Sequence, residues 1–404
     1  MKLAITCNGP GETAGWLRPL LRELYAIEPA AEVHVFYVPD DYATGAEPAY
    51  VRELFSQAHV YDVKTYVAAA LGRRIAGVPD RVDAVLYLGG DLMHASRLHR
   101  KLGGSLMTYR FTRRKYARVT ERAFAIDAKN AAELIVAGIA SERVTIAGNL
   151  AIDGALVEAA APVEPGAPVD GMLFMPGSRD YEVENMVPFF FTAALAIRRE
   201  TPDVPIAFGI SPFTQLGEVR AAIESGGRPR MFSKRGKLVE TSAGTELVSL
   251  DGSQRFPVLH NALSAAKRAR LAITIPGTKT IELAAIGTPV VACTPLNIPE
   301  AVTINGPLTY LNRIPLVGVP LKRAVVTAYS RRFPFHTQPN MDSNREVVRE
   351  LHGTLTPGRV ARVALECFDD AAWLAESAQA LRGLYTEHLG AAGRIARGLL
   401  EVHQ

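Results

Sequence analysis

Cysteine is scarce in this chain: Cys7, Cys293 and Cys367 are the only three, and they lie far apart. An odd number, with no C-x-x-C and no Cys/His cluster, excludes a disulfide scaffold and a cysteine-built zinc site and fits a reducing compartment. Long apolar runs are missing too. The longest uncharged apolar stretch, Met186 to Ile197, falls short of the roughly 20 residues a spanning helix needs. The opening run, Met1 to Pro10, stops being apolar too soon for a signal peptide. The expectation is a cytoplasmic protein, either soluble or peripheral at the inner face of a membrane. Charge imbalance is small as well: a net charge of +4 does not by itself imply nucleic acid. No G-x-G-x-x-G follows the first apolar run, which argues against a generic NAD-binding protein. What is present is a globular composition, 48% hydrophobic and 21% charged over 404 residues. That length suits two or three domains, each able to bury a core without disulfides or metals.

Short β-rich runs recur along the chain: Leu3 to Thr6, Val33 to Val38, Ala84 to Leu88, Met172 to Met175, Pro205 to Gly209, Leu271 to Thr274 and Pro289 to Ala292. Several are apolar at consecutive positions, as strands covered on both faces are. Helix-period stretches lie between them, at Glu12 to Leu24, Glu182 to Arg198, Leu263 to Arg268 and Thr280 to Ile286. This alternation predicts α/β architecture with parallel sheets and helices on both faces. Ala159 to Pro168 holds three prolines and a glycine and shows no period, so it reads as a linker. Two doubly wound, Rossmann-like domains follow. One spans 1–158, a linker spans 159–170, and the second spans 171–377. The tail from Cys367 to Val402 is helical by pattern, and Pro295 to Pro357 is less regular, as functional loops often are.

Ligands of open α/β sheets bind at the carboxyl ends of strands, so the strand-to-helix turns carry the functional reading. After strand one come Asn8-Gly9-Pro10-Gly11-Glu12-Thr13-Ala14-Gly15. The glycines there either admit a ligand or simply shape a tight turn. Met175-Pro176-Gly177-Ser178-Arg179 opens the second domain's first helix. Gly177, Ser178 and Arg179 together suit a diphosphate. The structural alternative is a capping box, with Ser178 as N-cap and Glu182 or Glu184 solvated. Ile275-Pro276-Gly277-Thr278-Lys279-Thr280-Ile281-Glu282 repeats the theme: Glu282 shares a helix face with Thr278, and a carboxylate there can accept both hydroxyls of a ribose. The fourth turn is Leu88-Gly89-Gly90-Asp91-Leu92-Met93-His94. Asp91 reads either as a general base or as the N-cap of a helix from about Ala95.

A basic stretch, Arg110, Arg113, Arg114, Lys115, Arg118 and Arg122, has Tyr109, Phe111 and Tyr116 interleaved and Glu121 as its only acid. It suits an anionic membrane surface or an anionic acceptor, or it is an ordinary solvated face. No RNA or DNA module motif accompanies it.

Taken in order, these motifs resemble the lipid-A-disaccharide synthase family. Leu173 to Arg179 with Glu182-Val183-Glu184 is similar to that family's L-P-G-S-R-x-x-E-V-E. Pro276 to Glu282 with Gly287-Thr288-Pro289-Val290-Val291 resembles its S-G-T-A-T-L-E…G-T-P-M-V-V. Pro339-Asn340 and Arg345 to Leu351 resemble its P-N…R-E-x-V-P-E-L, and Ala391 to Glu401 its closing helix. In the first domain Gly11 to Gly15 resembles G-E-x-S-G, Gly89 to Asp91 resembles G-I-D, and Gly148-Asn149 with Asp153 resembles G-H-P-x-x-D. The departures fall mostly in the first half: Trp16, Thr108 to Arg114 and Asn149, with Cys293-Thr294-Pro295 in the second.

The resemblance implies the GT-B fold, two Rossmann-like domains facing a cleft, with C-terminal helices from about 378 to 404 packing back on the first. It implies transfer of a sugar, of N-acetylglucosamine or acylated glucosamine type, from a UDP-sugar to a lipid-linked or saccharide acceptor. Gly177, Ser178, Arg179, Gly277, Thr278, Thr280, Glu282, Asn340, Arg345 and Glu346 would bind the donor. Gly11, Glu12 and Gly15 lie on the acceptor side, and Asp91 would deprotonate the acceptor. No cofactor and no metal ion is expected, in keeping with the absence of a D-x-D motif. Two other readings stay open. One is an isomerase like the UDP-N-acetylglucosamine 2-epimerases, which share the GT-B build. The other is a nucleotide-sugar-binding protein without transfer activity.

Overall fold

The structure, a computed structural model, describes residues 1–40, 43–298, 321, 324 and 333–401. Most of the irregular region expected from Pro295 to Pro357 lies outside the described residues, as does Val402 at the end of the expected helical tail. The chain divides into two compact units, Met1–Val157 with Thr386–Gln404, and Glu158–Tyr385.

The first unit is built on seven parallel strands: β1 (Lys2–Cys7), β2 (Glu32–Tyr37), β3 (His59–Tyr61), β4 (Ala84–Tyr87), β5 (Ser105–Tyr109), β6 (Thr120–Ala125) and β7 (Val144–Ile146). Their order is β3-β2-β1-β4-β5-β6-β7, every pairing parallel. β1 and β4 are buried almost throughout, as strands with helices on both faces must be. One face packs Ile5, Val35 and Leu86 against Leu20, Leu21 and Leu24 of the helix Arg18–Ile27 and against Ile395 and Leu399 of the helix Ala391–Leu400. The returning C-terminal segment is tied in by polar bonds. The Asp153 carboxylate accepts from the Gly390 and Ala392 amides at 2.8 and 2.7 Å, and Arg394 Nε donates to the Ala147 carbonyl at 2.7 Å.

The second unit carries an eight-stranded sheet. Its strands are β8 (Met172–Met175), β9 (Ile206–Gly209), β10 (Gly236–Thr241), β11 (Gly244–Ser249), β12 (Arg255–Leu259), β13 (Leu271–Thr274), β14 (Val290–Pro295) and β15 (Arg349–Gly353). The order is β10-β11-β12-β9-β8-β13-β14-β15. From β12 to β15 all neighbours are parallel. The other margin departs from the expected all-parallel sheet: β10, β11 and β12 pair antiparallel. The reason is local. Ser242 and Ala243 alone separate β10 from β11, and so tight a turn can join only antiparallel strands. The core centres on Phe174, Phe190, Phe208 and Phe256. The stretch read as a linker is bonded to this unit: Glu164 accepts from the His260 amide at 3.1 Å and from the Asn261 amide, at the mouth of the helix Ala262–Ala266.

Candidate functional site

In both sheets the chain first builds one side of its first strand and then crosses to build the other. In the first unit the reversal falls between β1 and β4; in the second it falls between β8 and β13. Loops leaving the carboxyl ends on either side of such a reversal diverge, which opens a crevice where ligands of open α/β sheets bind. The four turns singled out in the sequence are the loops after β1, β4, β8 and β13.

In the second unit, β8 and β13 run in register, Met175 opposite Thr274. Thr274 Oγ1 donates to the Met175 carbonyl at 3.0 Å, which locks the two loops side by side. Gly177 has φ +99°, and a Cβ there would lie 2.3 Å from Glu182 Oε2 and 2.8 Å from the Ile275 side chain. Only glycine lets the loop fold back this way. The helix Asp180–Glu200 follows, and Arg179, not Ser178, is its N-cap residue; the cap bond is made by Glu182, three residues on, reaching back to the Arg179 amide. Glu182 Oε2 accepts from the Ser178 and Arg179 amides at 2.9 and 3.1 Å. The backbone donors expected to face a diphosphate are thus held by Glu182, and Glu182 is buried rather than solvated. Tyr181 bonds Glu182 Oε1 at 3.1 Å, and the Arg179 guanidinium pairs with the same oxygen at 3.3 Å. Burial, followed by the Glu182 charge, pushes the Tyr181 hydroxyl up to about 12, so it remains a donor. Arg179 is half-exposed; a cation so placed gains little from its ion pair and can turn to an anion.

Across the crevice, Gly277 caps the helix Thr278–Ile286. Thr278 is exposed, while Thr280 is fully buried with its hydroxyl given to the Gly277 carbonyl at 2.7 Å. Glu282 is buried, and its Oε2 pairs with Lys279 Nζ at 2.6 Å. Lys279 escaped the sequence reading, although its i,i+3 spacing to Glu282 was the signal.

Asn340 is completely buried, and its amide is fully committed. Oδ1 accepts from the Val347 and Val348 amides at 2.7 and 2.8 Å. Nδ2 donates to the Val348 carbonyl at 2.8 Å and to Glu350 Oε1 at 2.7 Å. Asn340 thereby shapes the turn that presents Arg345 and Glu346, both on the surface. Arg345 lies 3.9 Å from Glu376 and Glu346 lies 3.3 Å from Arg349.

In the first unit, Asn8, Glu12 and Gly89 meet at the reversal. A Cβ on Gly89 would fall 2.1 Å from Asn8 Oδ1 and 3.2 Å from Glu12 Cγ. Gly11 is exposed at the helix start and Gly15 is buried within the π-helical turn Thr13–Leu17; such turns recur at functional sites. Asp91 is an N-cap, but of a helix that begins at Leu92 rather than near Ala95. Its Oδ1 accepts from the Met93 amide at 2.7 Å, and its Oδ2 pairs with Arg113 at 3.2 Å. The neighbouring Tyr87 hydroxyl donates to the Gly90 carbonyl at 2.8 Å. Burial, then the Asp91 and Glu12 charges, raises it to about 12. The basic stretch divides. Arg110, Arg113, Arg114, Lys115 and Arg118 are exposed in the segment after β5, with Arg114 and Lys115 on the short helix Arg114–Ala117. Arg122 instead faces the C-terminal helix, donating to the Gly398 carbonyl and to Glu401 at 3.1 and 2.7 Å. Among the described residues no helix is long and apolar enough to cross a membrane.

No protein-family model matches the chain, and no curated protein matches it. Solved structures do. MnaA of S. aureus, solved with UDP, aligns over 99% of this chain and 97% of its own, with 15% identity and a TM-score of 0.58. The UDP-GlcNAc 2-epimerase of Neisseria meningitidis, bound to UDP-GlcNAc, covers 99% of this chain and 100% of its own, at 14% identity and a TM-score of 0.55. The glycotransferase of kitacinnamycin covers 99% and 98%, at 16% identity and a TM-score of 0.51. At these identities the likeness shows the fold alone: two α/β units of the GT-B type.

Proposed function

We propose that the protein is a UDP-sugar enzyme whose second unit binds the uridine diphosphate, and that its reaction resembles that of the UDP-N-acetylglucosamine 2-epimerases. One observation carries the reading. Both turns chosen from sequence for phosphate and ribose chemistry lie at the topological reversal of β8 and β13, in a fold shared with structures solved with UDP and UDP-GlcNAc. Gly177, Ser178 and Gly277 form the crevice walls. Arg179 turns from Glu182 to the diphosphate, Thr278 offers an exposed hydroxyl, Thr280 fixes the helix start, and Glu282 takes the ribose hydroxyls. Asn340 holds the turn carrying Arg345 and Glu346. Positive groups at the leaving diphosphate stabilise the charge that develops there.

Inverting C2 of a UDP-sugar takes the C2 proton from one face as the C1–O bond to UDP breaks, which leaves a C1=C2 alkene and free UDP; a proton then adds to C2 from the other face as a UDP oxygen re-forms the bond to C1. Glu12 and Asp91, two carboxylates at the reversal of β1 and β4, are the acid–base pair this requires. For Asp91 to act, its Oδ2 must exchange Arg113 for the substrate. The experiment is incubation with UDP-N-acetylglucosamine alone in deuterated water, followed by NMR. The C2 epimer, with deuterium at C2, is the expected product; an unchanged nucleotide sugar refutes the epimerase reading.

A second reading is transfer of the sugar to a lipid-linked or saccharide acceptor, as in lipid-A-disaccharide synthases. The ordered motif set favours it, and so does the exposed cationic loop beside Asp91. That loop would meet an anionic acceptor or membrane surface through Arg110, Arg113, Arg114, Lys115 and Arg118. Co-sedimentation with vesicles that ignores both anionic lipid and salt removes the membrane part of this reading.

A further inference from the structure

At the amino ends of β1, β2 and β3, away from the carboxyl-end loops, a second polar cluster has no part in the proposed chemistry. Glu32 and His34 stand two residues apart on β2 and so share a face. His59 on β3 is the register partner of His34, and the two rings stack 4.7 Å apart. One ligand-capable atom from each of Glu32, His34 and His59 falls within 4.8 Å of the others.

Proton accounting shows what the cluster is missing. His34 is 1% exposed, so water does not satisfy it. Its Nδ1 lies 3.0 Å from the Tyr61 hydroxyl and its Nε2 lies 2.9 Å from Glu32 Oε1. Tyr61 has a single hydroxyl proton and gives it to the Gly77 carbonyl, which can only accept. The Tyr61 oxygen must therefore accept from His34, which places the ring proton on Nδ1. In a neutral His34 the lone pair of Nε2 then points at a carboxylate oxygen 2.9 Å away, two acceptors face to face. Either a second proton or a metal cation must sit there. The arrangement also matches how metal-binding histidines are held, with the far ring N–H fixed by an oxygen acceptor.

We infer that Glu32, His34 and His59 bind a divalent transition-metal ion, with zinc the best fit to two imidazoles and one carboxylate. The ion would bridge β2 to β3, which is the edge strand of its sheet, and so pin a strand of only three residues. Its role is structural, because the site lies at the opposite strand ends from the carboxyl-end loops. The exposed His59 ring turns about its side-chain torsions to reach the ion. Lys2, which shares Glu32 Oε1 at 2.9 Å and is one-third exposed, swings into solvent.

The test uses the full chain without a histidine tag, stripped by chelator and titrated with Zn²⁺ by calorimetry and with Co²⁺ by visible absorption. The expected result is one ion per chain, a tetrahedral Co²⁺ spectrum, and a melting temperature that rises with Zn²⁺. His59→Gln changes an exposed residue and should fold normally. It and Glu32→Gln should each weaken binding by at least roughly 10-fold, as loss of even an outer-shell partner does. Tyr61→Phe, which releases the Nδ1 proton, should weaken it also. Two results overturn the inference. One is no stoichiometric binding of either ion to the stripped chain. The other is zinc binding that His59→Gln and Glu32→Gln leave unchanged, which places the ion elsewhere.

Discussion

Replacing Asn340 with alanine separates two roles that its place beside Arg345 and Glu346 would allow. The side chain is fully buried and makes four hydrogen bonds, two accepted and two donated. In the Asn340→Ala protein the Val347 and Val348 amides lose their acceptor in a site closed to solvent. A buried donor left unsatisfied costs roughly 1–3 kcal/mol, so the two amides together cost about 2–6 kcal/mol, with a small cavity term added. Glu350 also loses a donor, keeping among the described residues the His336 amide and the Thr337 amide and hydroxyl. The assay is urea unfolding followed by the near-UV signal of the second unit, with UDP affinity measured on the folded fraction. A loss of stability of this size is expected. Asn340→Asp sharpens the test, because it keeps the oxygen that accepts from both amides but replaces the Nδ2 donor with a carboxylate oxygen 2.7 Å from Glu350 Oε1. That variant should be unstable at neutral pH and recover as the pH falls and one of the pair is protonated. A stability change under about 1 kcal/mol, with UDP affinity clearly reduced, would instead make Asn340 a ligand contact.

Other expectations follow from single contacts. Gly177→Ala forces a Cβ toward Glu182 at φ +99°. The backbone strain and the disturbed cap should together cost about 2–3 kcal/mol, read in the same unfolding assay. Asp91→Asn retains an N-cap, since asparagine caps as well as aspartate, so stability should hold within about 0.5 kcal/mol. Turnover of the nucleotide sugar should fall roughly 10²–10⁴-fold, and full turnover would remove Asp91 from the mechanism. His94 is buried against the Tyr66 hydroxyl at 2.6 Å, and burial holds its pKa below the usual histidine value of 6.5. The unfolded chain therefore binds this proton first as the pH drops below 6.5, so the stability His94 contributes is present above that value and is lost below it. His94→Gln should flatten the fall in melting temperature between neutral and acid pH, and an unchanged slope would contradict the assignment.

The strands were legible because their physics is local. Runs such as Ala84 to Leu88 and Leu271 to Ile273 are apolar at consecutive positions, as strands covered on both faces are. The turns were legible because glycine, hydroxyl and acidic residues cluster where strands end. What the sequence could not show is which turns meet. Strand order depends on contacts between distant segments, and only the structure places the loops after β1 and β4, and after β8 and β13, beside the reversals. The β10–β11 hairpin escaped because its alternation is weak and its turn, Ser242-Ala243, lacks the usual Asn-Gly signal. The helical tail breaks into Pro357–Asp369, Ala371–Leu384 and Ala391–Leu400. Asp370 caps one break by accepting from the Trp373 amide at 2.9 Å, and Gly390 opens the last helix. The pairings that occupy the site, Ser178 and Arg179 on Glu182, Lys279 on Glu282 and Arg113 on Asp91, are choices among several partners that spacing alone leaves open.

The central claim is that the crevice at the ends of β8 and β13 is a uridine-diphosphate site. Calorimetric titration of the whole chain with UDP tests it most directly, repeated with Glu282→Gln, which keeps the side-chain volume, and with Arg179→Ala, which removes the half-exposed cation. One UDP per chain is expected, with affinity reduced in both variants. An absence of UDP binding, or binding that both variants leave unchanged, would contradict it.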